Sequence, residues 1–152
     1  MTKTQTILRL AQEVADRLPG MFSKKGAGKG NKFTNHYMTL LNRRVTEILG
    51  SEYVEQCISG DTKQCVDFFV PDEKTIVEVE LSLYNVHTNL DRDIFKALLA
   101  IDSGHQIHTL FLIGKEPAKR RHTQPASMAL INWVKKYHAL NVVIEDIKKK
   151  GA

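Results

Sequence analysis

Asp67, Glu78 and Glu80 are the residues whose types and spacing most directly suggest chemistry. They lie in KQCVDFFV–PDEK–TIVEVELS, two runs rich in Val, Ile, Phe and Thr separated by four turn formers. That pattern predicts a β-hairpin. Side chains alternate along a strand, so Glu78 and Glu80 share one face with Ile76 and Ser82, about 7 Å apart, while Val77, Val79 and Leu81 share the other. Folding back at Pro71–Lys74 brings Asp67 alongside them. No basic residue stands at the alternating positions to neutralise the three acids, and crowded carboxylates raise one another's pKa. A divalent cation relieves this, because Mg²⁺ takes a few carboxylate oxygens and keeps water on its other positions. The plain alternative is a half-exposed strand whose acids simply face solvent.

The flanking elements must position that hairpin. Residues 4–18 place Ile7, Leu10, Ala11, Val14 and Leu18 on one helical face, stopped by Pro19-Gly20. Residues 23–34 are glycine-rich and basic, with Lys24, Lys25, Lys29 and Lys32, and are expected to form a mobile loop, either a solvated linker or an arm that meets phosphates. Asn35 is expected to cap a helix over 36–49, with Met38, Leu41, Val45 and Ile48/Leu49 inward. A short strand or irregular piece at 53–58 and a turn at Gly60-Asp61 lead into the hairpin. Asn89 is expected to cap a helix over 90–102, burying Leu90, Ile94, Ala97, Leu98 and Ile101. HTLFLIG at 108–114 reads as a strand covered on both faces. A helix over 125–139, with Ala126, Leu130, Val134, Tyr137 and Trp133 as its apolar set, precedes the edge strand NVVIEDI. The order predicts one α/β domain over 1–152, a mixed central sheet flanked by helices.

On helix 90–102, Asn89, Asp93, Lys96 and Ala100 fall in a stripe beside the apolar seam. Lys96 can reach the carboxylates from there, or pair with Asp93 at the surface. Glu47 is either a further acid near the site or an exposed partner of Arg43. The six histidines show no H-x-x-x-H spacing, which disfavours a histidine metal site. His87, in the segment after the carboxylate strand, is the one expected to face a substrate. Cys57 and Cys65 have no zinc-type spacing and are expected to be buried, unbridged small hydrophobes. GAGKGNK lacks the preceding apolar strand and the Gly-Lys-Ser/Thr ending of a nucleotide-binding loop. The net charge of +5 permits a polyanionic partner. A second basic cluster comprises Lys115, Lys119, Arg120 and Arg121. No apolar run is long enough to span a membrane, and MTKTQTILRLAQEVADRL lacks the form of a signal peptide, so a cytoplasmic protein is expected.

Segment 63–114 resembles the core of the PD-(D/E)xK nuclease superfamily, in particular type II restriction endonucleases with E-x-E in place of E-x-K. The residues that carry the likeness are Asp67, then after ten residues Glu78-Val79-Glu80, then helix 90–102 and strand 108–114. Three features depart from the family pattern. Val66, not proline, precedes Asp67; the literal Pro71-Asp72 lies in the hairpin turn; and Asp61 is a competing first acid in the preceding turn.

The resemblance implies a restriction-endonuclease-like fold and a Mg²⁺-dependent DNA endonuclease, with Mn²⁺ as substitute. Asp67 and Glu78, with the Val79 carbonyl, would hold the metal, and Glu80 would orient or deprotonate the attacking water. Lys96 would replace the motif lysine, and Glu47 would steer or bind a metal. The implied partner is double-stranded DNA, met by Lys24, Lys25, Lys29, Lys32, His87, Arg92, Lys119, Arg120 and Arg121, and the implied assembly is a homodimer. The alternatives are a junction-resolving or repair nuclease and a catalytically inactive nucleic-acid-binding domain on the same fold.

Overall fold

In a computed structural model that describes residues 1–23, 29–82 and 86–150, five strands form one mixed sheet between two layers of helices. The elements are α1 (Lys3–Arg17), α2 (Lys29–Ile48), β1 (Val54–Gln56), β2 (Val66–Val70), β3 (Thr75–Glu80), α3 (Val86–Asp102), β4 (Thr109–Lys115), α4 (Ala118–Arg121), α5 (Pro125–His138) and β5 (Asn141–Ile147). The strands lie in sequence order. β1, β2 and β3 are antiparallel neighbours, and β3, β4 and β5 are parallel. The parallel steps from β3 to β4 and from β4 to β5 are crossovers through α3 and α5, as parallel pairing demands.

Alternation along the strands sorts the core into two apolar clusters. Phe68, Val70, Val77 and Val79 pack with α1 and α2 around Ile7, Leu10, Tyr37, Leu41 and Val45. Phe69, Ile76, Leu110 and Leu112 pack with α3 and α5 around Leu90, Ile94, Ala97 and Val134. The hairpin turn also fixes α1. Glu73 accepts hydrogen bonds from the Lys3 and Thr4 backbone N–H groups and from the Thr4 hydroxyl, at 2.7, 3.1 and 2.6 Å. A carboxylate there also complements the helix N-terminus. Asp72 pairs with Lys3, so the literal Pro-Asp dipeptide is structural.

Several sequence expectations need correction. α2 begins at Lys29, so Asn35 lies inside it and residues 29–34 are helical. Phe33, packed against the core from this extra length, outweighs the glycine content. Lys24 and Lys25 lie outside the described residues. Likewise α3 begins at Val86, which puts His87 and Asn89 on the helix. Ile48 faces solvent while Leu49 packs inward. On α5, Val134 and Ser127 are buried, but Tyr137 is 64% and Trp133 45% exposed, and Ala126 is also exposed. Cys57 and Cys65 are neither buried nor free: they form a disulfide. They stand opposite one another one register step beyond the Gln56–Val66 pair, a neighbourhood that linear spacing alone does not reveal.

Candidate metal centre

The β2–β3 ladder pairs Val70 with Thr75, Phe69 with Ile76 and Phe68 with Val77, and its regular pairing stops there. At the next level carboxylates take over the backbone's role. The Asp67 N–H donates to Glu78 Oε1 at 3.2 Å, and the Val79 N–H donates to Asp67 Oδ2 at 2.8 Å. Asp67 and Glu78 are thereby held where two strands part. Glu78 points to the α3 side of the sheet, and at 2% exposure it is almost wholly removed from water.

Helix α3 covers this opening with its polar stripe. Lys96 Nζ lies 2.9 Å from Glu78 Oε2 and donates to the Cys65 carbonyl at 3.1 Å. Lys96 is 7% exposed, so it is a buried counter-charge rather than a member of a surface pair with Asp93. The loop closed by the disulfide holds the helix in place, since the buried Ser59 hydroxyl donates to the Lys96 carbonyl at 2.8 Å. One turn earlier on the solvent side, Arg92 reaches Glu80 Oε1 at 2.8 Å.

Asp93 completes the cluster, and the sequence does not disclose its role. The i, i+3 spacing of Asp93 and Lys96 is visible there, but nothing in the sequence shows that the stripe turns inward. Asp93 is fully buried, and neither carboxylate oxygen has a hydrogen-bond partner among the described residues. Lys96 and Arg92 approach Oδ1 only to 3.8 and 3.9 Å. Glu78, Glu80 and Asp93 each offer an oxygen within 4.8 Å of the others.

Burial is the main reason that the acids resist ionisation. It pushes Asp67 up to about 6 against the pull of the Val79 N–H and Lys96. It pushes Glu78 up to about 8, with the Asp67 charge adding to the effect and Lys96 opposing it. Asp93 is raised further, by burial first and then by Glu78 and Glu80. Burial disfavours the Lys96 charge as well, but Glu78 and its neighbouring acids outweigh that and hold the ammonium above its ordinary value. Asp93 and Glu80 can share a hydrogen bond only when one carries a proton.

With all groups ionised, Asp67, Glu78, Glu80 and Asp93 face two cations, Lys96 and Arg92, which leaves an excess of two negative charges. A divalent cation matches that excess, and the orphaned oxygens of Asp93 are the donors that such an ion satisfies. The residues present could therefore hold a metal ion.

The other expected site residues lie elsewhere. Glu47 is half exposed on α2 and pairs with Arg44 and not Arg43, so it takes no part in the acidic cluster. Asp61 is exposed in the turn over Gly60–Thr62. Lys32, Arg120 and Arg121 are exposed, and Lys119 pairs with Glu145. His122 is buried on the far side of Glu80, where it lines a small cavity with Ser82, Asn89 and Gly114. Gly114 is required there: a Cβ would stand 2.6 Å from that of Ala118. No helix among the described residues is long and apolar enough to cross a membrane. Compared with protein-family models, with curated proteins and with solved structures, the chain matches none.

Proposed function

We propose that this protein is a Mg²⁺-dependent DNA endonuclease of the restriction type, with the cluster around Glu78 as its active site. The observation that carries this is the set of four carboxylates gathered where β2 and β3 part, Glu78 and Asp93 buried and Asp67 and Glu80 partly so, with a buried lysine among them. Buried like charges with strongly displaced pKa values are costly to fold and concentrate where chemistry is done. The sequence likeness to E-x-E nucleases falls on the same residues, and the antiparallel β1–β2–β3 unit followed by α3 and parallel β4 has the order that likeness implies.

Each side chain then has a task. Asp67 and Glu78 brace the open end of the hairpin through the Val79 and Asp67 N–H groups, so the acids hold their geometry without substrate. Glu80, at 19% side-chain exposure, is nearer to solvent than Glu78 and is the acid that an incoming phosphate group meets first. Lys96 supplies a fixed positive charge beside Glu78, the electrostatic role of the lysine that the E-x-E strand lacks. Arg92, half exposed, stands at the rim where it can exchange Glu80 for a phosphate oxygen. When bound, Mg²⁺ would lower the pKa of a water and offset charge that develops on the phosphoryl oxygens. Cutting a duplex takes two such sites, so the proposal includes a homodimer. Phe95, Trp133 and Tyr137 are exposed apolar side chains of the kind that such interfaces cover.

Supercoiled plasmid incubated with Mg²⁺ tests the proposal. The wild type is expected to nick and linearise it, and Glu78→Ala/Glu80→Ala is expected to lose that activity by at least about 100-fold, the scale of losing metal catalysis. An intact plasmid across Mg²⁺ and Mn²⁺ and across varied sequences would overturn it.

A further inference from the structure

We infer that the divalent cation sits between β3 and α3, on Glu78, Glu80 and Asp93, and that Asp67 is a positioning residue rather than a ligand. The inference rests on the metal-dependent reading above but assigns the ion a different seat from the hairpin pair. Asp67 falls outside the trio whose oxygens all lie within 4.8 Å of one another, and its Oδ2 accepts the Val79 N–H in a bond within the sheet. Asp93 is the opposite case. It is 0% exposed, both its oxygens lack a donor, and it lies within reach of Glu78 and Glu80. A buried carboxylate without a partner is among the least favourable groups in a protein interior. Its presence at the centre of an acidic cluster is explained by an ion that uses it.

The surrounding contacts agree with this seat. Lys96 bonds Glu78 through Oε2 and Arg92 bonds Glu80 through Oε1, and carboxylate oxygens have further lone pairs for a metal. α3 supplies its ligand from the face that also carries Lys96, so a single rigid helix sets both the acid and the counter-charge. Glu80 then belongs to the ion's ligand set, and an attacking water must be oriented by a solvent-side group instead.

Two conservative variants separate the seats. Mn²⁺ titrated calorimetrically into Asp93→Asn is expected to bind at least about tenfold more weakly than into wild type, the scale of losing one ligand. Asp67→Asn is expected to stay within about threefold, since its role is one hydrogen bond in the sheet. Thermal melting in EDTA gives a readout that a structural role for Asp93 would move in the opposite direction. Asp93→Asn is expected to melt higher than wild type, because it removes a carboxyl that folding must either protonate or bury as a charge, and to lose the upward shift that Mn²⁺ gives the wild type. Unchanged Mn²⁺ affinity in Asp93→Asn, or a lower melting point in EDTA, overturns the inference even if plasmid cleavage persists. Loss of affinity in Asp93→Asn with no cleavage by wild type would keep the cation seat and remove the nuclease.

Discussion

The two faces of β3 are built on opposite principles. Toward α1 and α2, Val77 and Val79 meet an apolar layer in which Ile7, Leu10, Leu41 and Val45 are fully or almost fully buried. Toward α3, the same strand places Glu78 and Glu80 under Asp93 and Lys96, so burial works against charge instead of with it. One face gains stability from area removed from water. The other holds carboxylates that water would solvate better, which is what a site prepared for a cation needs.

The largest expected effects test that contrast directly. Leu41→Ala, on the apolar face, should cost about 2–5 kcal/mol in chemical denaturation and leave Mn²⁺ affinity unchanged. Lys96→Met, on the acidic face, should cost about 3–5 kcal/mol above about pH 8, where Asp67 and Glu78 are ionised, because it removes the cation beside them. Much of that loss should be recovered near pH 5, where those acids are protonated in the folded state. If both variants responded to pH in the same way, the two faces would not differ as described.

The pH dependence of the unaltered protein follows from the raised carboxyl values. Unfolded, these groups lose their protons near 3.8 for Asp and 4.5 for Glu, whereas in the fold Asp67 keeps its proton to about 6 and Glu78 to about 8. In that window the folded state binds more protons, so stability must fall as pH rises from about 4 through 8. The loss adds over the two groups, each tenfold gain in proton affinity on folding corresponding to about 1.4 kcal/mol. Melting in EDTA across that range should show the decline, and excess Mg²⁺ should flatten its upper part by stabilising the ionised acids. A melting point that rises steadily over the same range would contradict the assignment.

A smaller effect concerns the strap that holds α3. Reducing Cys57–Cys65, or replacing both with serine, should cost about 2 kcal/mol for a loop of this length. It should also loosen the Lys96 contact with the Cys65 carbonyl, and with it weaken Mn²⁺ binding by a few-fold.

How much of this the sequence discloses depends on whether the signal is local. Alternation in TIVEVELS is enough to place Glu78 and Glu80 on one face, and the turn at Pro71–Lys74 is enough to bring Asp67 beside them. The helix faces at Ile7–Val14 and Leu90–Ala97 follow from periodicity in the same way. Lys96 is legible as a residue able to reach the acids, but its burial is not. The width of the buried face of α3 is set by how closely the helix lies on the sheet, and Asp93 and Ala100 are buried on the polar side of the apolar seam for that reason. The disulfide escapes a linear reading because register, not spacing, brings its cysteines together. α2 starts earlier than its pattern suggests because glycine and lysine mask the core-packed Phe33.

Isothermal titration of Mg²⁺ into the wild type and into Glu78→Ala/Glu80→Ala tests the central claim most directly. A divalent site built from the acids under α3 predicts saturable binding of one ion per chain in the wild type and none in the double variant. Equal heats from both proteins, or none from either, would contradict it and leave the acids of β3 as buried groups without a metal.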